Sequence, residues 1–302
     1  MKKRSLIIVL CLACTASFAQ NTTQAPTDTT ARTAAQKADS AAFFERPLDG
    51  FYKKSNLING RPTPYANLRD ADVVFAKRVW REIDLREKMN QYLGSPKSRL
   101  IDALMGAIDA GELTAYDPTP NPAQNDPNGD SFSTPLTGAQ AKTRMADSSV
   151  VDKFDADGNK IGSDFRAGEF NPDSVIKFRI KEDWVFDKQR SVFEPRIIGI
   201  APLIKLKAAG LESSDYQPAF WVYYPEARAI LATKEAVSRN SDATGLSFDD
   251  VFLKRIFASY IVKVSNDRDE RIKDYAQGID RLYESERVKK VLMDWELSLW
   301  QY

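Results

Sequence analysis

The side chains that could carry out chemistry in this 302-residue chain are limited by one composition feature, the lack of histidine. The two cysteines, Cys11 and Cys14, lie close to the start of the chain. Imidazole is the usual general base near neutral pH and the usual transition-metal ligand. A Ser–His–Asp triad, a Cys–His pair and a typical zinc site are therefore excluded. Carboxylate chemistry, Ser/Lys chemistry and oxygen-ligated calcium stay open.

Two carboxylate arrangements deserve a chemical interpretation. Asp155, Asp157, Gly158 and Asn159 resemble a calcium loop in composition, but Lys153 occupies the first ligand position, where a carboxylate is required. Asp-Gly between two short apolar stretches instead predicts a β-hairpin. Glycoside cleavage needs two carboxylates at a defined separation, and no motif singles out such a pair. We therefore predict a protein that is not an enzyme, with no catalytic residue, cofactor or bound metal.

Large amphipathic side chains suggest a different role, binding to other proteins. The densest aromatic run is Phe220–Tyr224, whose side chains alternate between two faces if it is a strand. Trp221 and Tyr223 would then belong either to the core or to an open interface. Aromatic residues and arginine are the commonest anchors of protein interfaces. The candidate interface residues are Trp184, Arg190, Trp221, Tyr223 and Arg228.

The start of the chain predicts export. A basic segment, Met1–Arg4, precedes a short apolar run, and Ser17-Phe18-Ala19 has small residues where a signal peptidase cleaves. We predict a signal peptide over residues 1–19, with lipidation at Cys14 or a membrane anchor as weaker alternatives. Residues 20–45 are polar and predict a flexible leader. Both cysteines lie in the signal, so the mature chain has no disulfide. The formal net charge of +1 gives no indication of nucleic-acid binding.

The remaining residues, 46–302, predict an α+β body with three parts. Apolar spacing predicts an N-terminal helix pair, one helix from Asp72 to about Leu93 and another from Ser95-Pro96 to Gly111. Residues 117–139, rich in Asp, Pro and Gly, predict a long loop or an internal boundary.

A central, mostly antiparallel sheet and a C-terminal helical region should follow. Val175–Lys181 alternates clearly, and short strands are expected near Trp184, Arg196–Ile200 and Phe220–Tyr224. Ser247 and Asp250 form a capping box at the start of the helical region. Its apolar residues should be buried in three groups, which are Phe252 to Ile261, then Ile272, Tyr275, Ile279 and Leu282, and finally Val288 to Leu299 behind a Ser285 cap.

Several segments of the chain, in order, resemble the GldN/PorN family. The segments that carry the resemblance are Val79–Lys88, Lys181–Ser191, Arg196–Pro202, Trp221–Arg228, Phe248–Asp250 and Glu284–Arg287. The resemblance extends from about residue 46 to the end of the chain.

This resemblance implies a periplasmic structural subunit of the type IX secretion system. Such a subunit builds a ring beneath the outer membrane with a GldK/PorK-like lipoprotein, works with other secretion components and in some bacteria supports gliding. The alternative from another class is a periplasmic glycan-binding or glycan-cleaving protein.

Overall fold

A computed structural model describes residues 60–146, 149–154, 160–166, 170–208, 211–237 and 245–299. The predicted signal peptide, the predicted leader and the Asp157-Gly158 turn lie outside these residues. Their boundaries remain predictions. In the described part of the chain, no helix is long and apolar enough to cross a membrane.

A large antiparallel sheet organises the described residues. The strands, in chain order, are β1 (Val73–Asp84), β2 (Gly94–Ser95), β3 (Ser98–Arg99), β4 (Ala115–Tyr116), β5 (Pro135–Leu136), β6 (Ser149–Phe154), β7 (Lys160–Arg166), β8 (Lys177–Asp187), β9 (Val192–Ala208), β10 (Leu211–Pro218), β11 (Trp221–Tyr223) and β12 (Tyr260–Val264). The main sheet has the order β12-β1-β8-β9-β11-β4-β5, and β10 also pairs with β9. Its pairings are antiparallel, as predicted.

The helices lie between and after the strands. They are α1 (Leu100–Asp109), α2 (Gly138–Met145), α3 (Tyr224–Leu231), α4 (Phe248–Leu253), α5 (Ile272–Tyr275) and α6 (Asp280–Leu299). The α+β class is therefore confirmed, and β6 and β7 form the predicted hairpin. The capping box at Ser247 is also present, since Ser247 Oγ accepts from the Asp250 amide and starts α4.

The predicted N-terminal helix pair is half wrong. The second helix forms as α1, although it begins at Leu100 rather than at Pro96, and its predicted apolar face is buried. Most of the first is strand β1, which lies between β12 and β8, and only its end, Lys88–Leu93, forms a short 3-10 helix. Both faces of this strand are covered, so Val79 to Asp84 are all buried and the alternation of a strand is lost from the sequence.

The two faces of the sheet differ in chemistry. One face carries the main core, where α1, α3 and α4 pack over Ile83, Phe178, Ile180, Ile200 and Val222. On the opposite face, directly paired residues of β1 and β8 carry charge, and the long 117–139 loop packs there. Because α1 and α3 cover the first face, the second face is where a ligand or partner could reach the sheet.

The predicted C-terminal helical region is interrupted by β12. Tyr260 and Ile261, predicted to be helical, lie in this strand, which pairs with β1. Ser285 is not a helix cap but lies inside α6, where its Oγ accepts a hydrogen bond from the Ile261 amide at 2.9 Å. The helix thereby satisfies a donor of the sheet's edge strand, which would otherwise lack a partner.

Candidate functional site

The second face of the sheet is built from cross-strand pairs of opposite charge. Arg78 lies directly across from Asp183, and Glu82 from Arg179. Arg78 Nε donates to Asp183 at 2.7 Å, and Arg179 Nη2 donates to Glu82 at 2.6 Å. Such pairs stabilise an antiparallel sheet and fix its register. They also leave these charges already engaged within the protein.

Lys181 and Trp80 form the centre of this face. They are directly opposite each other on β8 and β1, and both are buried. Lys181 Nζ lies 3.2 Å from the Asp130 carboxylate and 2.8 Å from its backbone oxygen, and Trp80 Nε1 donates to the same carboxylate at 2.7 Å. Burial lowers the pKa of Lys181, and the Asp130 charge opposes this shift. Asp130 therefore compensates a buried ammonium and fixes the loop to the sheet.

The 117–139 segment packs against this face and forms part of the site. Asp126 is fully buried and accepts hydrogen bonds from the amides of Asp130 and Ser131. Gly129 has φ +69°, and a Cβ there would meet the Pro118 carbonyl at 1.9 Å, so the turn requires glycine. Phe132 packs on the backbone of Gly199 in β9, where a Cβ would lie 2.7 Å from its ring. Backbone conformation at Gly129 and side-chain packing of Phe132 thus together determine the conformation of the loop.

A cavity of about 870 Å³ opens beside this loop. Its lining includes Trp80 and Trp221, and its charged members are Asp130, Arg144, Arg179, Lys205, Lys263 and Arg271. Cations outnumber acids, but Arg144 pairs with Asp117, and Lys263 pairs with Asp269. The cavity lining is thus rich in cationic side chains, and most of their charge is neutralised by acidic residues of the same chain.

The cavity does not assemble a recognisable reaction centre. Among the described lining residues Asp130 is the sole acid, and its oxygens are held by Trp80 and Lys181. Beside the cavity, Asp183 forms a two-point ion pair with Arg78 and is thereby neutralised. In the part of the chain that the structure describes, no cluster of three potential ligands could hold a metal ion.

Two of the predicted interface residues, Trp221 and Tyr223, lie together on this face. The predicted alternation is confirmed, because Val222 joins the main core while Trp221 packs with Trp80 on the other side. The Phe132 ring lies between them, 6.4 Å from Trp221 and 5.5 Å from Tyr223. Trp221 is 2% exposed, as the core interpretation predicted, whereas Tyr223 is partly exposed.

Trp184 and Arg190 lie elsewhere, at the β8–β9 end of the sheet. Trp184 is partly exposed, donates through Nε1 to the buried Glu182 at 3.0 Å and packs against Phe193. Arg190, in the turn after β8, donates to Asp187 and Glu194, each at 2.7 Å. The Arg190 hydrogen bond lowers the pKa of Asp187. The turn presents an ordered guanidinium to solvent.

Arg228 is buried and forms contacts that stabilise the fold. Its side chain is buried, and its Nε and Nη2 donate to Asp249 at 2.8 and 3.1 Å. Its guanidinium also covers the Tyr65 ring, with 4.5 Å to the centroid. Arg228 therefore fastens α3 to α4 and to the segment before β1, and the five candidate residues fall into three separate places.

Sequence reasoning missed an exposed apolar surface formed by the segment before α6 and by the outer face of α6. Tyr275, Ile279 and Leu282 were predicted to be buried but are each more than half exposed. Tyr283, Met293 and Leu297 on the same face are also more than half exposed. A second apolar stripe, separate from the one through Leu292, was the signal that could have revealed this face.

The fold is an α+β body in which the 117–139 segment packs on one face of the sheet and α6 carries exposed apolar side chains. Residues 68–301 match the model of the family described as gliding motility associated protein GldN, so the chain belongs to that family. Membership associates it with gliding motility and protein secretion and with no known reaction. A comparison with curated proteins found no match.

Proposed function

We propose that the protein is a structural subunit of a periplasmic ring of the type IX secretion system. It assembles with a GldK/PorK-like outer-membrane lipoprotein and supports protein export and, in some hosts, gliding. The observation that carries this proposal is the family match over residues 68–301, which includes nearly all of the described structure. The predicted signal peptide supports export to the periplasm, where association with the lipoprotein would keep the chain at the outer membrane.

The distribution of surfaces supports an assembly role. A ring closes through head-to-tail contacts, so each subunit needs two unlike surfaces, and a lipoprotein partner needs a third. The ordered 117–139 loop with Tyr223 lies on one face of the sheet, and the Arg190 turn lies at the β8–β9 end. Helix α6 is attached to the edge strand β12 through Ser285, and its apolar outer face lies on the other side of the helix. These three surfaces differ in chemistry, since the first is aromatic, the second carries paired charges of both signs and the third is apolar.

Light scattering coupled to size-exclusion chromatography tests the proposal. The full mature chain is measured alone and with its candidate lipoprotein, and a mixed species much heavier than either monomer is expected. Two separate monomer peaks at high concentration would contradict assembly. Binding of peptidoglycan fragments by such a monomer would favour the glycan-binding alternative.

Exposed candidate residues locate the lipoprotein surface. We expect Arg190→Ala or Tyr223→Ala to weaken the mixed species, whereas Lys97→Ala, an exposed change on the β2–β3 turn, should not. Trp221 and Arg228 are poor choices here because both are buried, so their truncation would disturb the fold itself. If neither exposed variant weakens the complex, these two positions are not part of that surface.

A further inference from the structure

The C-terminal helix carries an exposed seam with the spacing of a coiled coil. The seam starts at Ile279, which directly precedes α6 and accepts hydrogen bonds from the Leu282 and Tyr283 amides at its start. It continues through Tyr283, Glu286, Lys290, Met293 and Leu297 at alternating intervals of four and three residues. Side chains at these intervals share one face of a helix and form the contact line of paired helices. The four apolar members, together with the neighbouring Leu282, are each more than half exposed.

This seam points away from the protein. The helix is anchored through Ser285, Leu292 and Val288, which face β12 and β1, and through Trp295, which stacks on Phe75 at 4.6 Å. At about 100° per residue these anchors lie on the side of the helix opposite to the seam. The outer apolar face therefore makes no contribution to the fold of its own chain.

The order of residues along the seam identifies what covers it. If two copies of α6 pack antiparallel about a two-fold axis level with Val288, Ile279 meets Leu297 of the second copy and Tyr283 meets Met293. At the centre, Glu286 then meets Lys290 of the second copy, twice. A parallel arrangement would instead place Glu286 against Glu286 and Lys290 against Lys290, which is unfavourable. Two copies of the seam thus have complementary charges when the helices are antiparallel and like charges in contact when they are parallel.

We infer that α6 is a self-complementary docking surface through which two copies of this chain pair antiparallel. The central charges set the orientation, as polar residues in a seam commonly do, and the apolar ends supply the binding free energy. A two-fold contact is closed, so it joins two subunits without propagating a ring. Only its placement in a secretion ring rests on the proposed function; the pairing itself is a property of the chain alone.

The pairing should be weak in isolation. Each copy contributes about five apolar side chains, which places the contact below the roughly 1,200 Å² of a stable standard interface. Dimers should therefore form reversibly as concentration rises, and neighbouring subunits held in an assembly would strengthen them.

Charge reversal tests the inference. Mass is measured by sedimentation across a wide concentration range for the full chain and its variants. Lys290→Glu and Glu286→Lys should each weaken dimerisation by more than about tenfold, because each places like charges at the centre. The double variant with both changes restores opposite charges and should return to within about threefold of the natural chain. Lys97→Glu, with the same charge change far along the chain, is the matched control.

Disulfide trapping tests the orientation. In a chain with Cys11→Ser and Cys14→Ser, the combination Ile279→Cys and Leu297→Cys should give covalent dimers on oxidation. Leu297→Cys alone should not, because antiparallel pairing separates the two copies of this position by about 27 Å. Crosslinking of the single variant would overturn the antiparallel arrangement.

Three outcomes would overturn the inference itself. These are a chain that stays monomeric at every concentration, single reversals that dimerise normally, and a double variant that stays monomeric. Lipoprotein binding by the Lys290→Glu variant is measured in parallel. Loss of lipoprotein binding with no change in self-association would assign α6 to the lipoprotein, whereas lack of lipoprotein binding by every variant would count against the proposed function alone.

Discussion

Helices α1 and α6 both carry apolar stripes, but only α1 buries most of its apolar side chains within the chain. Six of the ten residues of α1 are buried, since the helix lies against the sheet within the main core. α6 has twenty residues, yet of those whose side chains are described only Ser285 and Leu292 are buried. An apolar stripe therefore indicates that a helix packs against another surface, but it does not show whether that surface belongs to the same chain. α1 finds its partner inside the chain, while α6 divides its apolar residues between an inner and an outer face.

The largest expected difference between the helices concerns core truncation. Leu104→Ala in α1 should lower the free energy of unfolding by about 3 kcal/mol, because Leu104 is fully buried and its removal leaves a cavity. Leu297→Ala, the same chemical change on the outer face of α6, should cost less than about 0.5 kcal/mol in dilute solution. Urea denaturation measures both values. Equal costs would show that the outer face of α6 is covered within the monomer.

Truncation of a buried side chain on the inner face of α6 should lower stability, but by less than truncation in α1. Leu292→Ala should lower stability by about 2 kcal/mol, since Leu292 is buried in a small cluster with Val79 and Ile261 at the edge of the sheet. Denaturation followed by tryptophan fluorescence measures this change. A cost as small as that of Leu297→Ala would mean that α6 is not anchored to the sheet by apolar packing.

The hydrogen bond of Ser285 should contribute less to the free energy of unfolding than the apolar packing of Leu292. Ser285→Ala should cost about 1–2 kcal/mol, because the buried Ile261 amide loses its acceptor. Ser298→Ala, at an exposed position of the same helix, is the control and should be nearly neutral. Hydrogen exchange of the Ile261 amide provides the direct readout. Unchanged protection in Ser285→Ala would rule out the hydrogen bond as the link between α6 and β12.

The smallest effect concerns the first turns of α6 and depends on pH. The Arg287 guanidinium donates to Glu284 at 2.7 Å and holds the pKa of Glu284 below its usual range. Because the folded pKa is the lower one, the stabilisation is present above the unfolded pKa of about 4.3 and is lost as pH falls through the folded value. The stability difference between the natural chain and Glu284→Gln should therefore shrink at acid pH.

Denaturation curves at neutral and acid pH measure this difference. Glu226→Gln, which removes an exposed acid on α3, controls for the general loss of charge. A difference that stays constant down to the acid limit would show that the Glu284–Arg287 pair does not stabilise the helix.

Local patterns were sufficient where one face of an element is buried and its neighbours lie nearby in the chain. The apolar spacing from Leu100 to Ile108 predicted α1, and the alternation from Val175 to Lys181 predicted the start of β8. Ser247 and Asp250 predicted the start of α4. The alternation of Trp221 and Val222 between the two faces was predicted as well. Each of these depends on residues a few positions apart, so the sequence alone determined them.

Tertiary structure decided the remainder, because burial depends on segments distant in the chain. Strand β1 was not predicted from the sequence, because it lies between β8 and β12 and both of its faces are covered. Its buried charges pair with residues distant in the chain, as Glu82 does with Arg179, 97 residues away. The same dependence separates the inner from the outer face of α6. The sequence determined that its apolar residues follow a helical period, and only the packing of β12 and β1 decided which of them remain available to another chain.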